Sequence, residues 1–444
     1  MPNNHSLLKI LGVAFGLAVI IGNTIGMGIL RTPGEVAAQL PSTGWYLSVW
    51  VLGAGYALLG ALTLSELATM NPRSGGQFPL VHEALGPFPG FVVGWTDWIS
   101  TCCSVAAVAI VIGEYLQPLI PALDGYAQWT ASGLVVLFTA LQWSGIKIGD
   151  RTQRATSLLK ALSLIGLALV ALYYGLFGDI APASKETFDY QVPNGITLLA
   201  AIVVAVQAAI FTYDGWTGAI YFGEEVTDPG KNIPRAMIGG VLLVMAIYLS
   251  LNIAFLMVVP VDEMAGDPFV AATVATRLFG PAGDDVIRVL MLVSLIAAVN
   301  SLVLMASRVP YAMAREKLLP RALTAVNRGG TPTIASAASC VVAVAFVLTN
   351  SFNTALAMMA FFFVASYTLS FSSLFAMRIR QPQKHRPFRV PLYPFVPGLA
   401  LLGSLAFLVA AIVGDMDNSL WALAMVALSA PAYALAKRFR RDAG

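Results

Sequence analysis

Two short stretches place unusual chemistry inside otherwise apolar sequence. "GNTIGMGIL", residues 22–30, holds Gly22, Gly26 and Gly28. "FTYDGWTG", residues 211–218, holds Asp214, Gly215 and Gly218. Glycine costs an exposed helix interior about 1 kcal/mol relative to alanine. Such clusters therefore predict helices that break. A break frees backbone N–H groups at the start of the following half-helix, where the dipole favours an anion. It also frees carbonyls at the end of the preceding half, which suit a cation. One small zwitterion would satisfy both. Its carboxylate would face the N–H groups around Met27 and Gly28, and its ammonium the carbonyls of Thr24, Phe211 and Asp214. Two plainer readings stand beside this one. Gly22 and Gly26 have the small-xxx-small spacing of a helix packing contact. Asp214 has the side chain of a cap for the half-helix that follows it.

The elements that must position these residues are membrane helices. Of the 444 residues, 58% are hydrophobic and 11% charged, where a soluble domain carries roughly a quarter charged residues. Apolar runs recur that are long enough to cross a hydrocarbon core of ~30 Å. The ~10-residue alternating strands of an outer-membrane barrel are absent from the sequence. The reading is an all-α polytopic membrane protein. Twelve spans are expected, near 7–30, 44–68, 90–119, 126–143, 155–178, 195–222, 236–260, 283–312, 332–350, 354–377, 396–414 and 419–436. Pro33 and Gly34 fall past the end of the first. The breaks lie at corresponding places in spans 1 and 6 if spans 1–5 repeat as spans 6–10. Matched interruptions are a sequence pointer to a transporter site. The expected division is 1–180 and 190–380 as two repeats, with 390–444 holding two further spans and a tail.

Most of the 26 Lys and Arg fall at the termini and in the even-numbered loops. Only Arg31, Lys185, Arg277 and Arg288 fall on the other side, and Lys160 lies inside span 5. The positive-inside rule places both termini in the cytoplasm, with the protein in the cytoplasmic membrane. The basic tail "AKRFRR" serves that orientation, and no nucleic-acid partner is expected. Cys102, Cys103 and Cys340 form no CxxC pair, and His5, His82 and His385 lie in loops or at the amino terminus. No metal site, cofactor motif or catalytic signature is read, so an enzyme is not expected. No cleavable signal peptide precedes the first span.

Further blocks follow in order: "SELATMNPRSGGQFPLVHEALGPFPGFVVGW" at 65–95, "FTYDGWTGAIYFGEEVTDPGKNIPRA" at 211–236, "NSLVLMASRVPYAMAREKLLPRALTAVNRGGTP" at the end of span 8, and "RPFRVPLYPFVP" before span 11. With "GNTIGMGILRTPG", these resemble the amino acid–polyamine–organocation (APC) transporters. The resemblance implies a leucine-transporter-type fold, with ten helices in a 5+5 inverted repeat, spans 1 and 6 unwound, and two peripheral helices. It implies secondary transport of L-amino acids by alternating access. Carried over by position, the backbone of Met27, Gly28 and Ile29 would hold the carboxylate. Carbonyls of Thr24, Phe211 and Asp214 would hold the amine, with the ring of Phe211 or Trp216 as a gate. Side-chain pocket positions fall on Val105, Val108 and Leu302. All are apolar, which favours a neutral, small to medium substrate. A cationic amino acid or polyamine carrier, or a non-transporting receptor on the same fold, is the alternative. The resemblance also gives Lys160 a role: its ammonium would stand where sodium-coupled relatives bind a cation, making exchange or proton symport sodium-independent. Snorkelling to the interface is the plainer reading. Some family members join a glycoprotein through a cysteine in the 3–4 loop. Residues 120–125, "IPALDG", have none, so no disulfide-linked accessory subunit is expected.

Three further polar sites sit in or near spans. Asp97 and Glu66 are expected to pair with loop cations such as Arg73 or Arg154. Asn300 and Ser301 either line a cavity or bridge helices.

Overall fold

The computed structural model describes residues 7–26, 28–178, 192–349, 352–414 and 416–442. Met27 lies outside the described residues. The helices are α1 (Val13–Thr24), α2 (Gly28–Gln39), α3 (Thr43–Met70), α4 (Phe78–Leu85), α5 (Pro87–Leu116), α6 (Ala127–Trp143), α7 (Ile146–Phe177), α8 (Gly195–Thr212), α9 (Pro229–Val258), α10 (Val261–Met264), α11 (Val270–Phe279), α12 (Gly283–Ala306), α13 (Arg308–Arg315), α14 (Thr333–Thr349), α15 (Phe352–Arg380), α16 (Phe395–Gly414) and α17 (Met416–Asp442). A 3-10 segment, Trp216–Tyr221, follows α8.

Among the described residues, eight helical stretches are long and apolar enough to cross a membrane. The number is nine if α1 and α2, bent by 51° to one another, are one broken span; α14 and residues 422–437 of α17 are apolar but shorter. The outward faces agree with a lipid surround. Leu158, Leu162 and Leu169 on α7, and Leu402, Val409 and Val413 on α16, are all exposed. In a bilayer such residues face hydrocarbon, and helices satisfy their own backbone groups.

Two apolar cores divide the bundle. The larger joins α1, α2, α3, α8 and α9. The second joins α5, α6, α12 and α14. The long α7 packs on α1, α9 and α12 and so bridges the two groups.

The first break differs from its expected form. Pro33 and Gly34 lie inside α2, which runs on to Gln39. Proline removes one helical hydrogen bond, yet the pair has a packing purpose. A Cβ on Gly34 would stand 2.0 Å from the Asp267 carbonyl oxygen, and the Gly34 carbonyl accepts the Gly266 N–H at 3.0 Å. Only glycine lets α2 dock on the segment between α10 and α11. Spans 5 and 7 also start earlier than expected, at Ile146 and Pro229. Their first turns carry Lys147, Arg151, Arg154, Lys231 and Arg235, which remain solvated beyond the apolar stretch.

The basic loops meet at one face. Leu11 pairs with the 225–227 backbone, Ile146 N–H with the Gly329 carbonyl, and Gly75 N–H with the Tyr221 carbonyl. Arg73 binds Glu316 at 2.6 Å, Arg315 binds Glu224 at 2.5 Å, and Lys384 pairs with Glu83. Beneath them Arg308 and Glu225 form an ion pair at 3.0 Å, both fully buried. Burial pushes the Glu225 carboxyl up, and Arg308 draws it back down. Arg308→Ala would leave that carboxylate alone. The expected cost is about 3–5 kcal/mol, read as a large fall in melting temperature in detergent. An unchanged melting curve would show that the pair holds nothing closed.

Candidate functional site

A cavity of about 150 Å³ lies between the two cores. That is room for on the order of ten waters. One wall is the end of α1 and the start of α2, with Asn23, Thr24, Gly26 and Gly28; a second is the α8 break, with Phe211, Thr212, Asp214, Thr217 and Tyr221. The third is Thr101, Ser104 and Val108 of α5, with Leu302 and Met305 of α12 and Phe363 of α15.

Both breaks depend on glycine. Gly215 has φ +114°, and a Cβ there would stand 2.8 Å from both the backbone N and Oγ1 of Thr24. Left-handed backbone disfavours any side chain, and here the α1 backbone also fills the space. A Cβ on Gly28 would stand 3.0 Å from Thr212. The start of α2 therefore lies directly on the end of α8.

The polar atoms here are largely engaged. Tyr248 of α9 donates its hydroxyl toward the Thr24 carbonyl at 2.9 Å and the Thr212 carbonyl at 3.1 Å. The Thr24 hydroxyl oxygen is buried without a partner among the described residues. Lys160 is fully buried; its Nζ donates to the Gly22 carbonyl at 2.9 Å and to the Ile25 carbonyl. It points into the first break and away from the interface, so it does not snorkel. Ser294 of α12 reaches the same Ile25 carbonyl at 3.4 Å.

Asp214 stands just before the 3-10 segment, where its carboxylate meets the Gly215 N–H. The same carboxylate accepts the Tyr367 hydroxyl of α15. Asp97 pairs with neither Arg73 nor Arg154. Its Oδ1 accepts the Tyr221 hydroxyl. Arg73 is held by Glu316 and Arg154 by Asp150. Glu66 binds Arg378 at 2.7 Å and Arg386 at 3.1 Å, two arginines that only the fold brings to it.

Five expected residues face elsewhere. Trp216 turns behind the cavity toward Gly60 and the Tyr367 ring, centroids 5.0 Å apart, so of the two proposed gates only Phe211 borders the cavity. Asn300 donates to the Gln153 side chain at 2.6 Å and accepts from Gln142; it bridges α6, α7 and α12. Ser301 bonds the Val19 carbonyl at 3.2 Å. Val105 is buried in the second core, and Ile29 in the first. The missed wall had a signal. Asp97, Thr101, Ser104 and Val108 are spaced 4-3-4, one face of a helix. Val105 lies at the edge of that face, beside Thr101, and its side chain packs into the second core.

Apolar outward faces, two broken helices and a cavity of about 150 Å³ between two packed groups are the features of a membrane carrier of a small solute. The chain belongs to the amino acid permease family, whose model matches residues 11–430, and with it to the APC transporters. It is an integral membrane protein and not an enzyme. It is 31% identical to the serine/threonine exchanger SteT of Bacillus subtilis (strain 168), over 93% of each chain. It is 31% identical to human Asc-type amino acid transporter 1, over 87% of this chain and 75% of that one. It is 28% identical to human b(0,+)-type amino acid transporter 1, over 93% and 84%.

Proposed function

We propose that this protein is a sodium-independent exchanger of small to medium neutral L-amino acids. It would work by alternating access in the cytoplasmic membrane, with both termini in the cytoplasm. The supporting observation is Lys160. Its ammonium already occupies the α1 carbonyls that a coupling cation would otherwise need. The exchange mode accords with the SteT relative, a serine/threonine exchanger by name. Val108, Leu302 and Met305 suit an uncharged side chain, and Thr101 and Ser104 add hydroxyls on the same wall.

The carboxylate would lie on the N–H groups at the start of α2, at Gly28. The ammonium would lie at the α8 break. There the Thr24 carbonyl is already taken by Tyr248, and the buried Thr24 hydroxyl offers the acceptor in its place, beside the carbonyls of Phe211 and Asp214. The two breaks support reading 1–180 and 190–380 as repeats of one unit, with α16 and α17 peripheral and twelve spans in all. No disulfide to an accessory chain is expected. Cys102 and Cys103 are buried and Cys340 is half-buried in α14.

The test is counterflow in sodium-free proteoliposomes with a panel of labelled amino acids. Signal for alanine, serine, threonine or larger neutral amino acids supports the reading. Signal only for arginine, lysine or amines would shift it to cationic solutes, with Asp214 as the counter-charge. No signal in sodium-free buffer would sink it. Thr24→Val should weaken binding about tenfold or more, since hydrogen bonds to charged groups are worth about 1.5–3 kcal/mol. Equal affinity would return the ammonium to carbonyls alone.

A further inference from the structure

The 3-10 segment 216–221 is tied at each end by a carboxylate–phenol hydrogen bond to a separate helix. At its start Asp214 binds Tyr367 of α15; at its end Tyr221 binds Asp97 of α5. Asp97 is the unusual member. It is 2% exposed, and among the described residues its Oδ2 is buried without a side-chain hydrogen-bond partner and it enters no ion pair. The Tyr221 ring and Gly76 close over it: a Cβ on Gly76 would stand 2.7 Å from Oδ2 and 2.7 Å from that ring. Thr101 and Tyr221, on either side of Asp97, both line the cavity.

From these contacts we propose that Asp97 is a proton-binding site of the transport cycle, loaded while the 216–221 segment lies against α5. The inference rests on the carrier reading above. A buried carboxylate held only by neutral donors, with no cation among the described residues beside it, is costly, whereas its neutral acid is far less so. Around Asp97, its own helix presents Thr101. Gln77, the residue before α4, presents its backbone N–H, while its side-chain oxygen accepts from Ser370 of α15 at 2.7 Å. The α8 break presents Tyr221 and, further off, the like charge of Asp214. The nearby cations of the basic face are already paired, Arg73 with Glu316 and Arg308 with Glu225. Alternating access requires this face to open, which moves the 216–221 segment away from α5. Water then reaches Asp97, the carboxylate is solvated, and the proton leaves to that water. The proton is bound from the cavity side and released on the basic side as the Tyr221–Asp97 hydrogen bond parts, and no covalent bond other than that O–H changes.

The experiment is amino acid counterflow in proteoliposomes at equal internal and external pH, from about pH 5 to about pH 8. The native protein should lose activity above a single midpoint, by up to about tenfold per pH unit. Asp97→Asn should give a flat profile. Tyr221→Phe removes a hydrogen bond that favours the charged form, so its midpoint should move to more alkaline pH. That shift is measurable even if Asp97→Asn does not fold, and a purely structural role would not produce it. A flat native profile, or unchanged midpoints in the variants, overturns the proposal. Absence of amino acid exchange at every pH would instead overturn the carrier reading beneath it.

Discussion

Lys160→Ala is expected to abolish amino acid exchange while leaving the protein folded. The ammonium is the donor for two carbonyls at the first break, those of Gly22 and Ile25. Charge-assisted bonds are worth about 1.5–3 kcal/mol each. If both are made in the conformation that holds substrate, their loss reduces exchange at least about a hundredfold. The rest of the α1–α7 contact does not depend on the lysine. Ser157 donates to the Ala18 carbonyl at 2.7 Å, and Gln153 to the same carbonyl at 3.1 Å. The variant should therefore elute as the native protein does on size exclusion. Counterflow with choline in place of sodium completes the test. Native exchange should be indifferent to the replacement. Normal exchange by Lys160→Ala would retire the idea that the ammonium stands in for a coupling cation.

The second large effect is at Gly28. In Gly28→Val, the Cβ alone would sit 3.0 Å from both Oγ1 and Cγ2 of Thr212. Thr212 has little room to yield, because its hydroxyl is bonded to Thr32 at 2.9 Å and to the Ala208 carbonyl at 2.9 Å. The valine methyls must then enter a cavity of about 150 Å³, beside the N–H groups proposed for the carboxylate. Binding should fall about a hundredfold or more, beyond detection in a scintillation proximity assay. Gly28→Ala should fall between the two, since a contact at 3.0 Å needs a shift of only a few tenths of an ångström. A native melting temperature would show that the variant folds. Native affinity in Gly28→Val would mean that the carboxylate does not lie at the start of α2.

The two predictions draw on different kinds of information. Gly28 can be singled out from the chain, because glycine clusters in an apolar run conflict with a regular helix. Lys160 can be singled out too, because a cation in a membrane span needs a partner. Its partners cannot be read from the chain: Gly22 and Ile25 lie more than a hundred residues away, and only the packing of α1 on α7 brings their carbonyls to Nζ.

By itself the sequence determined what depends on local composition. That covers the membrane-spanning helices, the two breaks at 22–28 and 211–218, and the family blocks. Lengths, periodicity and glycine content are one-dimensional, and a bilayer enforces them by denying the backbone any other hydrogen-bond partner. The tertiary structure decided which polar atoms are still available. Thr24 and Asp214 were both legible as residues of the site. Only packing shows that Tyr248 occupies one carbonyl and Tyr367 one carboxylate, leaving the Thr24 hydroxyl open. Glu66 finds Arg378 and Arg386, and Asp97 finds Tyr221, because α3, α5 and α15 converge where no sequence interval announces it. Even Pro33-Gly34, which reads locally as a stop, is a docking surface inside α2. The Asp267 carbonyl that requires it belongs to a distant segment.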